Sequence, residues 1–116
     1  MKYIILTNDA NNTIKTIFEC IKNGEDKQGS KIESWKVEKA TSGKEYIEHS
    51  PDQWVDKCYL NMIANKENDE VKIEFHYWKD SLEEERSETD DKIILGRFTE
   101  LLLVHFNTLC DRIIIK

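Results

Sequence analysis

Two stretches of this 116-residue chain restrict its fold more than any others: Asp56–Ala64, DKCYLNMIA, and Glu70–Trp78, EVKIEFHYW. In each, apolar residues recur at every second position, which is the mark of a strand with one buried face. Five polar residues, Asn65–Asp69, separate the two. Strands joined by so short a polar loop form an antiparallel hairpin. Setting Ala64 opposite Val71 brings Met62 to Ile73, Leu60 to Phe75 and Cys58 to Tyr77, so every core-type residue meets another. The opposite face then holds the pairs Ile63–Lys72, Asn61–Glu74, Tyr59–His76 and Lys57–Trp78. A slip of one residue would mix the two sets, so the register is strongly specified. Phe75 is expected to be a buried member of the inner set. The outer set raises a question, because a histidine and a tryptophan end a row that begins with lysine and glutamate.

The flanking segments extend the same logic. Lys2–Thr7, KYIILT, is apolar at successive positions and reads as a buried strand. Asn8 and Asp9 offer helix caps, and Ile14, Ile17, Phe18 and Ile21 follow at helical spacing up to Gly24. Ile32–Ala40 and Lys44–His49 flank Thr41-Ser42-Gly43, a hairpin loop with glycine at the position that needs positive φ. With Ala40 opposite Lys44, Val37 meets Ile47 and Trp35 meets His49 on one face. Lys36 meets Glu48 and Glu38 meets Tyr46 on the other. Seven acidic residues against one arginine in residues 80–91 suit a solvated approach to a helix N-terminus. A helix is expected over residues 88–109, with Ile94, Phe98, Leu101, Leu102, His105 and Leu109 on its core stripe. RIIIK, 112–116, reads as a last strand. The order is β-α-β-β-β-β-α-β in a single domain, 1–116. The expected architecture is an α+β two-layer sandwich, with two helices packed on one face of a mixed, mostly antiparallel sheet.

Charge and motifs narrow the chemistry. A net charge of −6 with no run of Lys or Arg disfavours nucleic acid and anionic membrane as main partners. Three widely spaced cysteines, Cys20, Cys58 and Cys110, without CxxC, are expected to be free thiols in a cytoplasmic protein. The N-terminus has no apolar core of signal-peptide length. The four glycines form no phosphate loop, and there is no GxSxG. Asp9-Ala10-Asn11 lacks the glycine and glutamate of a calcium loop. Cys58 and His76 fall on opposite sheet faces, so neither a metal site nor a Cys–His nucleophile pair is expected of them, and no cofactor or metal is implied.

Two surfaces remain. The first is the outer sheet face with Lys57, Tyr59, His76 and Trp78, since Trp and Tyr are enriched where surfaces meet. The second is the back of the long helix, where Gly96, Leu103 and Cys110 recur every seven residues and Ile93 and Val104 lie alongside. The function expected is a small acidic protein-interaction domain, adaptor- or inhibitor-like, whose partner is a protein: a basic one or a second copy. The alternative is a small enzyme or ligand-binding domain with a pocket near Trp35, His49, Trp54 and His76. His105, on the core stripe, is expected to be hydrogen-bonded to a neighbour rather than to act as a switch.

Overall fold

The computed structural model describes residues 1–116. Strand β1 spans Tyr3–Leu6 and helix α1 Ala10–Asn23; β2, Trp35–Lys39, and β3, Glu45–His49, form the first hairpin. Strands β4, Cys58–Asn65, and β5, Glu70–Tyr77, form the second. A short 3-10 turn, Glu83–Glu85, leads to α2, Asp90–His105, and β6 closes the chain at Arg112–Ile115. The expected element order is therefore present, and both hairpins have the expected register. No helix is long and apolar enough to cross a membrane.

The sheet runs β2-β3-β4-β5-β1-β6. Every neighbouring pair is antiparallel, so the sheet is not mixed as expected. The reason is topological. The α2 crossover makes β5 and β6 parallel to one another, but β1 inserts between them and pairs antiparallel with both. The α1 crossover likewise carries the chain from β1 to the far edge.

Local chemistry sets the helix ends. Asp9 caps α1 by accepting a hydrogen bond from the Asn12 N–H at 3.1 Å. Gly24, at φ 76°, ends it, its N–H bonding back to Cys20 and Ile21. Helix α2 stops at His105, short of the expected 109, where the chain turns at the buried Phe106 toward β6. His105 Nδ1 lies 2.8 Å from Asp26 Oδ2 in the loop after α1, as expected of a histidine bonded to a neighbour.

The core lies between the helices and the inner sheet face. Tyr3, Ile5, Ile17, Ile47, Leu60, Ile94, Phe98 and Leu102 are all essentially inaccessible to water. Phe98 receives the edges of Trp35 and Tyr3, at 5.7 Å and 6.2 Å between ring centres. The Tyr3 hydroxyl is satisfied by Thr99 Oγ1 at 2.5 Å. Phe75 faces the helices but is only partly buried, against expectation. It packs edge-on to Tyr77 at 5.1 Å beside a shallow groove that reaches Ser87 and Asp91. Its cross-strand partner Leu60 is fully buried. Leu60→Ala should therefore lower unfolding free energy by about 2–5 kcal/mol, and Phe75→Ala by less than a full aromatic burial would give. Urea denaturation of the two variants checks the order; a larger loss at Phe75 contradicts it.

Candidate functional site

The sheet face away from the helices carries an aromatic cluster at one end. Tyr59 and His76 are cross-strand partners, stacked with ring centres 5.4 Å apart. Trp78 lies just past the end of β5, held by a hydrogen bond from its N–H to the Lys57 carbonyl at 3.0 Å. Its indole meets Tyr59 at 4.3 Å. Tyr46 of β3 completes the group, 4.4 Å from Tyr59 and 6.0 Å from Trp78. Sequence reasoning placed Tyr46 on this face but did not include it. The signal was the neighbour relation of β3 and β4, where Ile47 sits opposite Leu60. His76 is the exposed member, its Nε2 3.3 Å from Glu74 Oε1, and that contact holds the Glu74 carboxyl below its ordinary range.

Lys57 does not belong to this cluster. Asp56 adopts φ 61°, which breaks the alternation just before β4. The Lys57 ammonium passes 4.7 Å from the centre of the Trp54 ring and reaches Asp90 at the start of α2, 3.3 Å from both carboxylate oxygens. Its cation–π partner is thus Trp54 and not Trp78. Asp90 also accepts from the Tyr77 hydroxyl and the Ser87 N–H, each at 2.7 Å. Burial alone would raise its carboxyl, but these bonds hold it below the ordinary value. Burial and the same carboxylate push the Tyr77 phenol up to about 12. Lys57 fastens the hairpin to α2.

Beneath the aromatic cluster lies Glu48, which is fully buried. Its Oε1 accepts from the Asp56 N–H and from Trp78 Nε1, the latter at 3.1 Å. Its Oε2 makes no hydrogen bond and stands 3.4 Å from Lys36 Nζ, which also lies 3.2 Å from Glu38. Burial raises the Glu48 carboxyl above its ordinary value in spite of these partners. Sequence reasoning paired Glu48 with Lys36 correctly but treated the pair as a surface feature. The turn at 51–57 and the Trp78 indole close over it.

Trp78 stands beside two shallow grooves that share Asp56 and Asp80. One, about 440 Å³, is lined by Trp78 itself with Glu38, Lys39, Thr41 and Lys79, and the other, about 580 Å³, adds Asp52, Lys57 and Glu85. No protein-family model, curated protein or solved structure matches this chain.

The remaining sequence candidates separate. Gly96 and Leu103 do lie exposed on α2, with Ile93 and Val104. Cys110 is not on that helix at all: it follows the end of α2 and is partly buried before β6, so the seven-residue spacing is broken. The last strand joins the sheet beside β1 rather than covering the helix back. All three cysteines are free, and burial pushes the Cys58 thiol up to about 12, far from a reactive thiolate. The four-residue pocket does not assemble. Trp35 and His49 lie with ring centres 4.5 Å apart, tilted by 41°, and line a cleft of about 220 Å³ with Arg97, Glu100 and His105, but Trp54 is outside it and His76 is on the other sheet face. His49 is buried, its Nδ1 has no hydrogen-bond partner, and burial lowers its pKa. No three His, Cys, Asp or Glu side chains converge to hold a metal ion.

Glu48 carries a pH signature. A carboxyl raised in the folded state favours folding most below its unfolded value, and that contribution falls as pH rises through the folded value. Wild type should therefore lose ground relative to Glu48→Gln as pH rises from about 4 to about 7. Paired denaturation midpoints check this; a gap that moves in the opposite direction contradicts the raised carboxyl.

Proposed function

We propose that this chain is an acidic protein-interaction domain, adaptor- or inhibitor-like, that docks a basic segment of a partner protein at the Trp78 corner. One observation carries this: the partly buried indole of Trp78 lines a groove with Glu38, Asp56 and Asp80 as well as Lys39 and Lys79, and Asp56 and Asp80 also line a neighbouring groove in which Asp52 and Glu85 outnumber Lys57. A flat π-face beside carboxylates suits a Lys or Arg side chain, which gains a cation–π contact of ~0.5–1 kcal/mol at an exposed site and charge-assisted hydrogen bonds. The net charge of −6 favours approach of a basic partner at low salt. Glu48, itself held by the Asp56 N–H, accepts from the indole N–H and fixes the ring, so its placement costs little on binding.

A second use of the fold, as a ligand-binding domain or small enzyme, is favoured by the Trp35–His49 cleft, where a buried imidazole nitrogen lacks a partner. A ligand there should perturb the His49 ring resonances and leave Trp78 unaffected.

The test of the first proposal uses fluorescent Lys/Arg-rich peptides and charge-reversed controls, followed by anisotropy. Basic peptides should bind, with affinity falling as salt rises. Asp80→Asn and Trp78→Phe should each weaken binding several-fold, while Val104→Ala on the far helix should not. Peptide binding that ignores charge sign, or that survives both changes at the corner, overturns the proposal.

A further inference from the structure

The cleft of about 220 Å³ lies where the first hairpin meets α2. Trp35, at the start of β2, and His49, at the end of β3, line it from the sheet, with Glu33 just before them in the chain. Arg97, Glu100 and Val104 line it from the helix. Pockets for drug-sized ligands run from about 300 to 1,000 Å³, so this one suits a smaller molecule.

Arg97 and Glu100 stand three residues apart on α2, a spacing at which opposite charges face each other and commonly pair. Here they make no ion pair, with one another or with any other side chain. Three residues of helix rise about 4.5 Å, a gap that the carboxylate and ammonium of one α-amino acid can bridge. His49 stands opposite. It is 7% exposed, its Nδ1 makes no hydrogen bond, and Arg97 and Glu100 are the charged groups that act on its ring. Burial holds the imidazole below its ordinary pKa, so near pH 7 it is neutral, with one N–H and one acceptor nitrogen. His105 also lines the cleft, but its Nδ1 is bonded to Asp26 at 2.8 Å.

Taking this cleft as a ligand site, the second use of the fold given above, we propose that it binds a free α-amino acid with an aliphatic side chain. The carboxylate pairs with Arg97, whose planar fork matches its two oxygens. The ammonium lies between α2 and β3, donating to Glu100 and to His49 Nδ1 as the acceptor of the ring. The side chain packs on Trp35, Leu101 and Val104, all part of the lining. The charges of the lining select this class. A simple anion meets Glu33 and Glu100, and a simple cation meets Arg97, whereas a zwitterion answers both signs. The cleft is on the helix side of the sheet and the Trp78 corner on the other, so the two sites are separate.

The His49 ring resonances of the full chain report binding of leucine and of two analogues with one charge each. Isoamylamine is leucine without its carboxylate, and isocaproate is leucine without its ammonium. Leucine should shift the ring with a Kd of about 1 mM or tighter, and each analogue should bind about 10-fold or more weakly. Arg97→Gln should abolish the preference for leucine over isoamylamine, and Glu100→Gln the preference over isocaproate. Lys92→Gln, which removes a charge elsewhere on α2, should change neither. His49→Phe keeps a ring beside Trp35 and removes Nδ1; followed on the α2 backbone amides, it should weaken leucine binding several-fold. A folded His49→Phe variant that binds leucine as wild type does overturns the proposal. If either analogue moves the ring as readily as leucine, the amino-acid proposal falls while the cleft stands as a ligand site. If none of the probes moves the ring up to about 10 mM, both fall together for these chemistries.

Discussion

Cys58, Leu60 and Met62 on β4 lose contact with water together with Val71 and Ile73 on β5 when the two helices settle over them. The side-chain period of a strand is two, so that one contact also decides what cannot be buried. Tyr59, Ile63, Lys72, Glu74 and His76 are sent to the other face as a consequence. Each fully buried Leu or Ile contributes roughly 1.5–3 kcal/mol, far more than any aromatic contact on the outward face. The hairpin register is therefore set from the helix side, and the residue types on the outward face are free of that constraint.

The Trp78 corner shows how such a face is held in shape. Glu48 loses its water entirely, which costs a carboxylate several kcal/mol unless partners compensate. Two N–H donors and a nearby lysine do so in part, and the raised carboxyl records the remainder. What this arrangement provides is position. It fixes the indole against the turn at 51–57, with Asp56 in the left-handed region at φ 61°.

Much of this was legible in the sequence because strand parity and turn chemistry are local. The pairs Val37–Ile47, Leu60–Phe75 and Tyr59–His76 followed from alternation and from Gly43 and the polar loop Asn65–Asp69. The caps Asp9 and Gly24 marked α1. What was not legible depends on contacts between distant segments. The side chain of Lys57 followed the backbone break at Asp56 and the charge of Asp90, thirty-three residues away. Glu48 looked like one half of a surface ion pair because the turn that covers it has no strand periodicity. Cys110 matched a helical spacing on a helix that had already ended. The insertion of β1 between β5 and β6 is a matter of strand order, which periodicity does not encode. Function was the least legible part, since strand parity and turn chemistry report which side chains reach a face and not what that face touches.

The central claim is that this sheet has one face committed to stability and one that is not. Ile4 and Ile5 are adjacent on β1 and chemically identical, but Ile5 is inaccessible to water and Ile4 looks outward. Unfolding free energies of Ile5→Ala and Ile4→Ala, measured in dilute solution, compare the two faces directly. The account predicts a loss of about 2–5 kcal/mol for Ile5→Ala and of no more than about 1 kcal/mol for Ile4→Ala. Equal losses would contradict it, because they would mean that the outward face is covered within the single chain.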